Sequence, residues 1–367
     1  MLPTFKSLYV HCPFCLKKCP YCDFYSVESK PEEKSYLKAL LKELSLESPE
    51  FSQFPTVYFG GGTPSLLSPA FFEAVLAKVG QFSEVTVEFN PEDAEGEKLR
   101  ALREVGVNRI SLGIQSLNEE TLKRLGRRQG VKENLKALEE TLKYFPNASV
   151  DLIFGAPGQK AEEFLRELSF LVENFPVKHL SLYALTLYPE TPFYALASKG
   201  RLELPPEEEV ERAYYGAVEL LKEKGFNHYE ISNFALPGFE SKHNLNYWKL
   251  ENYLGIGPSA ASFKERRFWK KRANLKEYLE ALERGELPLE EEVEFSPEEL
   301  LEVKVQMGMR LTEGIEVSLL PEKALENPRV KELIDEGFLE VEGGRLKLGS
   351  KGLFVSNSVI GELLATF

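Results

Sequence analysis

From residue 5 to about residue 190 the chain alternates short β-rich runs with amphipathic helical stretches. Nothing else in the sequence constrains the fold as strongly. Strands are predicted at 7–11, 56–59, 84–89, 109–115, 149–154 and 179–185, rich in Val, Ile, Leu, Tyr and Phe. Several read as nearly continuous apolar runs, as strands covered on both faces of a parallel sheet do. Between them Leu37, Leu40, Leu41 and Leu44 recur at helical spacing, as do Phe72, Val75, Leu76 and Val79. Ser68-Pro69 is a good N-cap and first-turn pair for the second of these helices, and Gly80 a suitable terminator. Six strand–helix alternations specify a parallel α/β domain; a partial or complete barrel and a doubly wound sheet both satisfy them.

The 367 residues exceed what this one unit needs. Beyond residue 200, acidic helical stretches at 205–223 and 274–285 flank an irregular aromatic region at 226–263. Ser296-Pro297-Glu298-Glu299 has the pattern of a capping box. A helix around 329–336, a hairpin over 338–348 turning at Gly343-Gly344, and a final helix predict a compact C-terminal module of winged-helix type. The expected division is 1–200, 201–290 and 291–367. No internal repeat or low-complexity segment is present.

The charge balance, 45 − 58 = −13, argues against nucleic acid as a partner, because phosphate backbones repel so acidic a chain. The opening M-L-P-T-F-K-S-L-Y-V lacks the basic start and long apolar run of a secretory leader. No run of 18 apolar residues is long enough for a bilayer. A reducing cytoplasm is the expected compartment.

All four cysteines, Cys12, Cys15, Cys19 and Cys22, fall in one short window after the first strand, which is no disulfide framework. Three thiolates in C-x3-C-x2-C spacing suit a four-iron cluster with one iron left open to a substrate. A Cys3His zinc knot recruiting His11 or another histidine, or simply buried thiols, are the alternatives. Cys12 is read as structural. After the second strand comes Gly60-Gly61-Gly62-Thr63-Pro64-Ser65, where a backbone can turn sharply and a ligand approach closely. It is neither G-x-G-x-x-G nor a P-loop. Glu88, Asn90, Gln115, Ser116 and Asp151 furnish further strand ends, where parallel α/β scaffolds gather their sites.

Taken together, Tyr9-Val10-His11-Cys12-Pro13-Phe14-Cys15, the C-x3-C-x2-C loop and G-G-G-T-P-S resemble the radical S-adenosylmethionine (SAM) superfamily. More narrowly, the chain resembles the branch that holds oxygen-independent coproporphyrinogen III oxidases and haem chaperones. V-E-F-N-P at 87–91, L-G-I-Q-S at 112–116, V-D-L-I-F-G-A-P-G-Q at 150–159, Y-E-I-S-N-F-A at 229–235 and M-G-M-R-L at 307–311 extend the likeness over essentially the whole chain.

The resemblance implies an open (β/α)6 partial TIM barrel with a small α+β, winged-helix-like C-terminal domain. It implies a [4Fe–4S] cluster on Cys15, Cys19 and Cys22 whose free iron takes the amino and carboxylate groups of SAM. Gly61, Gly62 and Thr63 would receive the methionine end, Glu88, Gln115, Arg127 and Asp151 the rest of SAM, with Tyr9 and Tyr21 beside the cluster. One-electron reduction would cleave SAM to a 5′-deoxyadenosyl radical.

Two features divide the branch, and both favour the chaperone. Where oxidases carry a fourth cysteine this chain has Phe24, and the H-N-x-x-Y-W motif of the chaperones reads His243-Asn244-Leu245-Asn246-Tyr247-Trp248. His243 is the expected haem ligand, with Tyr247 and Trp248 against the porphyrin; a purely structural His243 in an aromatic minicore is the alternative. His11, His179 and His228 are read as structural. Gln129 stands where the family often has histidine, so no proton-transfer role is expected there.

The run from Lys264 through Arg266, Arg267, Phe268, Trp269, Lys270 and Lys271 to Arg272 is basic and aromatic. It is read as a solvated helix face balanced by nearby acids, with haem propionates or a membrane surface as its alternative contacts. Haem, recipient haem proteins and a second copy of the chain are the expected partners. The competing functions are the oxidase and a zinc-stabilised α/β protein without cluster or SAM.

Overall fold

The structure is a computed structural model that describes residues 5–48, 54–80 and 82–367. The first four residues of the opening decapeptide therefore lie outside the described residues. Six parallel strands, β1 (Ser7–Cys12), β2 (Thr56–Gly61), β3 (Glu84–Phe89), β4 (Arg109–Gln115), β5 (Ser149–Phe154) and β6 (His179–Ala184), pair in sequence order. Helices α1 (Glu33–Glu47), α2 (Pro69–Leu76), α3 (Gly96–Glu104), α4 (Glu119–Arg124), α5 (Val131–Tyr144) and α6 (Ala161–Asn174) intervene between them. The barrel alternative is the one adopted.

The sheet continues past both ends of this array. Beyond β6 lie β7 (Asn227–Glu230) and β8 (Asn233–Ala235); beyond β1 lie β9 (Tyr253–Ile256), β10 (Ala261–Lys264), β11 (Arg267–Lys271) and β12 (Leu289–Glu294). β9 pairs with β1 in parallel, a strand the aromatic region concealed. The basic run is thus the β10–β11 hairpin and not a helix face. Its arginines are paired, Arg266 with Glu294 at 2.7 Å, Arg267 with Glu292 at 2.8 Å and Arg272 with Glu277 at 3.2 Å.

The six strands are not apolar on both faces. Leu8, Val10, Val57, Phe59, Val85, Val87, Ile110 and Leu112 pack under the helices. The intervening positions carry Ser7, Tyr9, Thr56, Tyr58, Thr86, Glu88, Arg109, Ser111, Ser149, Asp151, His179 and Ser181, so polar groups fill the barrel interior. Many of them are paired: Ser149 Oγ lies 2.7 Å from His179 Nδ1, and the Tyr229 hydroxyl lies 2.7 Å from His179 Nε2, whereas Thr86 Oγ1 has no hydrogen-bond partner among the described residues.

α7 (Pro192–Ala197), α8 (Glu207–Glu223), α9 (Lys242–Trp248) and α10 (Leu275–Arg284) complete this part. One core runs from Phe5 to Leu282. A second, from Val305 to Leu363, joins α11 (Pro297–Gly308), α12 (Pro328–Asp335) and α13 (Ser356–Leu364) to a sheet of β13 (Ile315–Glu316), β14 (Leu339–Glu342) and β15 (Arg345–Leu348). The β14–β15 turn has positive φ at Gly343 and Gly344, which the two-residue hairpin requires. The predicted capping box is formed: Ser296 Oγ accepts from Glu299 N at 3.1 Å and Glu299 Oε2 from Ser296 N at 2.8 Å. Ser68 precedes α2 but caps nothing with its side chain. Its N–H and hydroxyl both donate to the Glu33 carboxylate, which competes successfully for them.

Candidate functional site

The cysteine loop leaves the C-terminal end of β1, and its surroundings are built from the ends of the next three strands. Thr63 donates its hydroxyl to Cys15 Sγ at 3.3 Å. Arg127, from the turn after α4, places Nη1 3.6 Å from Cys19 Sγ. Its Nη2 donates to Gly113 O at 3.1 Å and to Asn90 Oδ1 at 3.2 Å. Asn90 Nδ2 donates in turn to Thr63 Oγ1, and Asn90 N to Ser65 Oγ. One network thus ties the Gly-rich segment, the end of β3 and the β4 helix turn to two of the three loop thiols. Tyr21 borders Cys19 and packs on Phe193.

These donors favour anionic sulfur, which is what metal ligation requires. Without metal, burial raises the Cys15 thiol and pushes Cys22 up to about 11. Among the described residues no three His, Cys, Asp or Glu side chains converge as ligands of one metal ion. His11 is no spare ligand. Its Nδ1 accepts from the Tyr9 hydroxyl at 3.1 Å and its Nε2 donates to Tyr25 O at 2.9 Å. Three thiols on one loop, with cationic and hydroxyl donors beside them, fit a cluster better than a zinc knot. Cys12 is fully buried and burial raises its thiol well above the ordinary range, consistent with a structural role.

Below the loop, Gly61 sits at φ 109° against the His11 ring; a Cβ there would stand 2.5 Å from it. Gly61 N donates to Glu88 Oε2 at 3.1 Å and Gly62 N to Cys12 O at 2.8 Å. Both N–H groups are therefore used within the protein, and the space beside the missing side chains is filled by the His11 ring at Gly61 and by the Cys12 and Phe14 carbonyls at Gly62. Tyr58 donates to Glu88 Oε1 at 2.9 Å, and Tyr9 stacks on Tyr58. Tyr9 thus lies in the barrel interior with Tyr58, while Tyr21 is the tyrosine beside the thiols. Burial raises Glu88 to about 7, opposed by the hydrogen bonds from Tyr58 and Gly61. A carboxyl so placed gains from a cationic partner.

Asp151 is held by the Ser111 hydroxyl at 2.9 Å and by Ser149, and burial raises it. Gln115 has φ 66° at a register shift in β4, a strained backbone for a side chain. Ser116, by contrast, is committed to Glu167 at 2.6 Å.

His243 lies elsewhere. Its ring sits at the opposite, N-terminal end of the barrel, 1% exposed. Thr56 Oγ1 is 2.9 Å from Nδ1 and the Tyr247 hydroxyl 2.8 Å from Nε2. The Glu84 carboxylate accepts from Lys242 N and His243 N, holding the start of α9 against β3. Neither ring nitrogen is open to haem iron in this conformation, because both are spent on closing the barrel floor. Burial lowers the ring to about 3, so it is neutral. Trp248 faces the C-terminal module, its ring under the Arg310 guanidinium at 4.8 Å.

Residues 9–171 match the family model described as the Radical SAM superfamily. The chain is 34% identical over 377 residues to the haem chaperone HemW of Bacillus subtilis, covering 98% of this chain and 99% of that one. It is 35% identical to the haem chaperone HemW of Lactococcus lactis, covering 99% and 98%. This chain belongs to the HemW family of radical SAM proteins. The mitochondrial radical S-adenosyl methionine domain-containing protein 1 of Bos taurus is 35% identical, over 98% of this chain and 87% of that one. The fold resembles the coproporphyrinogen III oxidase HemN of Escherichia coli, with a TM-score of 0.81, 22% identity, and coverage of 99% and 90%.

The radical SAM family implies a [4Fe–4S] cluster and SAM, and no helix among the described residues is long and apolar enough to cross a membrane. Sequence reasoning had marked Asn90 only as a polar strand end, yet it is the junction of the site. Its neighbour Glu88 was the available signal. Tyr58 was missed because an aromatic in a β-rich run reads as core.

Proposed function

We propose that this chain is a haem chaperone that binds haem and passes it to recipient haem proteins, with a [4Fe–4S] cluster on Cys15, Cys19 and Cys22 and SAM beside it. The observation that carries the reading is end-to-end identity of 34% and 35% with two proteins named haem chaperone HemW. Phe24, 60% exposed where oxidases carry a further cysteine, supports it.

When bound, the cluster and SAM supply one-electron chemistry. Thr63 and Arg127 steady the ligating sulfurs, and Gly61 and Gly62 let the His11 ring and the loop backbone pack closely beneath them. Glu88 meets the cationic amino group of SAM, Arg127 and Gln115 contact its polar parts, and Asp151 a ribose hydroxyl. The residues up to about 200 house this site, 201–290 seal the barrel, and 291–367 form a separate module. The cytoplasm is the proposed compartment.

His243 can ligate haem only in an opened state, after giving up Thr56 and Tyr247. Anaerobic haem titration tests the reading. A stoichiometric Soret band, with no conversion of coproporphyrinogen III by the reconstituted protein, is expected. Turnover of coproporphyrinogen III would replace the chaperone with the oxidase.

A further inference from the structure

A groove of about 750 Å³ opens on the outer side of the barrel, between α1, α10 and the segment following the cysteine loop. Its volume is in the ~300–1,000 Å³ range of small-molecule sites. Phe14, Val27, Ala39, Leu275, Leu279 and Leu282 give it apolar walls. Lys30, Lys38, Lys42 and Lys276 border it, against Glu32, Glu280 and Glu283. Four lysines against three glutamates give the rim of this apolar slot a small positive excess in a chain of net charge −13. Lys42 donates to the Glu283 backbone carbonyl and Lys276 meets Glu280 only at 3.9 Å, in a solvent-exposed pair. No ion pair of Lys30 or Lys38 is found among the described residues, and both are exposed.

Such a slot suits a flat apolar body with anionic groups at one edge. Its walls carry no His, Cys or Met, and the hydroxyls of its two tyrosines are engaged, Tyr25 accepting from Leu275 N at 2.6 Å and Tyr36 donating to His11 O. The wall is also continuous with the cluster loop. Phe14 precedes Cys15 and pairs with Val27, whose N–H donates to Pro13 O at 2.7 Å.

We propose that this groove is a porphyrin seat, holding the macrocycle between α1 and α10 with the propionates toward Lys30 and Lys38. The proposal rests on the haem-chaperone reading and gives its cargo a place while His243 stays closed in the barrel floor. Because the seat grips the macrocycle and its carboxylates, metal-free protoporphyrin IX binds about as well as hemin.

The test is titration of the full-length, cluster-reconstituted protein with hemin, read by the Soret band, and with protoporphyrin IX, read by fluorescence. The double variant Lys30→Glu/Lys38→Glu changes two exposed side chains; Leu279→Trp fills the slot from a second direction. Both are expected to weaken both porphyrins at least tenfold. Circular dichroism confirms that each variant is folded. If the groove variants bind as wild type, or hemin is preferred a hundredfold over protoporphyrin IX, the seat is refuted while the chaperone reading stands. If wild type binds no hemin, the chaperone reading itself fails.

Discussion

Glu88 places a titratable carboxyl in the barrel interior. Its buried carboxyl is raised from an ordinary 4.5 to about 7, so the folded protein holds a proton there that the unfolded chain has released. A raised carboxyl makes the native state less stable as pH climbs from about 4.5 to about 7. Glu88→Gln removes this contribution. The difference in Tm between variant and wild type should therefore grow in the variant's favour across that window, and a pH-independent difference would dismiss the assignment. Saturating SAM should shrink the difference, since an ammonium partner pulls the carboxyl back down. Thr63→Val removes the hydroxyl donor from Cys15 at nearly constant volume. It should lower cluster retention on anaerobic gel filtration, read by iron content, and leave the fold intact by circular dichroism.

At the scale of elements, α9 is the informative case. Only seven residues long, it is too short to persist alone. It is held by the Ser241 cap, by the Glu84 carboxylate and by His243 and Asn246 reaching into the barrel. His243→Ala should cost about 2–4 kcal/mol in urea unfolding, combining a cavity with orphaned hydroxyls. Glu84→Ala should cost about 1–2 kcal/mol through the lost cap and increase hydrogen exchange at α9 amides. If neither variant destabilises, the sealed barrel floor is not what α9 provides.

The H-N-x-x-Y-W pattern was legible as a motif, but its spacing says nothing of which end of the barrel it meets. Likewise the basic run was legible as charge. Its being a hairpin depended on β12, an acidic strand, arriving to pair with it.

On the scale of the whole molecule, β9 is joined to α1 and α10 by a buried ionic knot. Lys271 Nζ, 0% exposed, lies 2.6 Å from Glu47 Oε1 and 3.3 Å from Glu43 Oε1, and donates to Gly255 O at 2.7 Å. Glu43 also accepts from Tyr278 at 2.5 Å and from Gly257 N at 2.8 Å. Lys271→Met leaves two buried carboxylates unpaired and should cost about 3–5 kcal/mol, measured by equilibrium unfolding. Adding Glu43→Gln and Glu47→Gln should recover a substantial part of the loss. A triple variant no better than Lys271→Met alone would show that packing, not charge, holds this seam.

The sequence by itself determined the six parallel strands, the helices between them, the C-terminal hairpin and the cysteine loop. Each follows from local periodicity, turn chemistry or ligand spacing, which act over a few residues. Only the tertiary structure decided that the barrel interior is polar, that Asn90 joins Arg127 to Thr63, and that His243 closes the far end. Those outcomes depend on which side chains, such as Thr56 and His243 at 187 residues apart, are brought within hydrogen-bonding distance. A buried polar group must find its partner wherever the fold puts one, and the linear order does not record where that is.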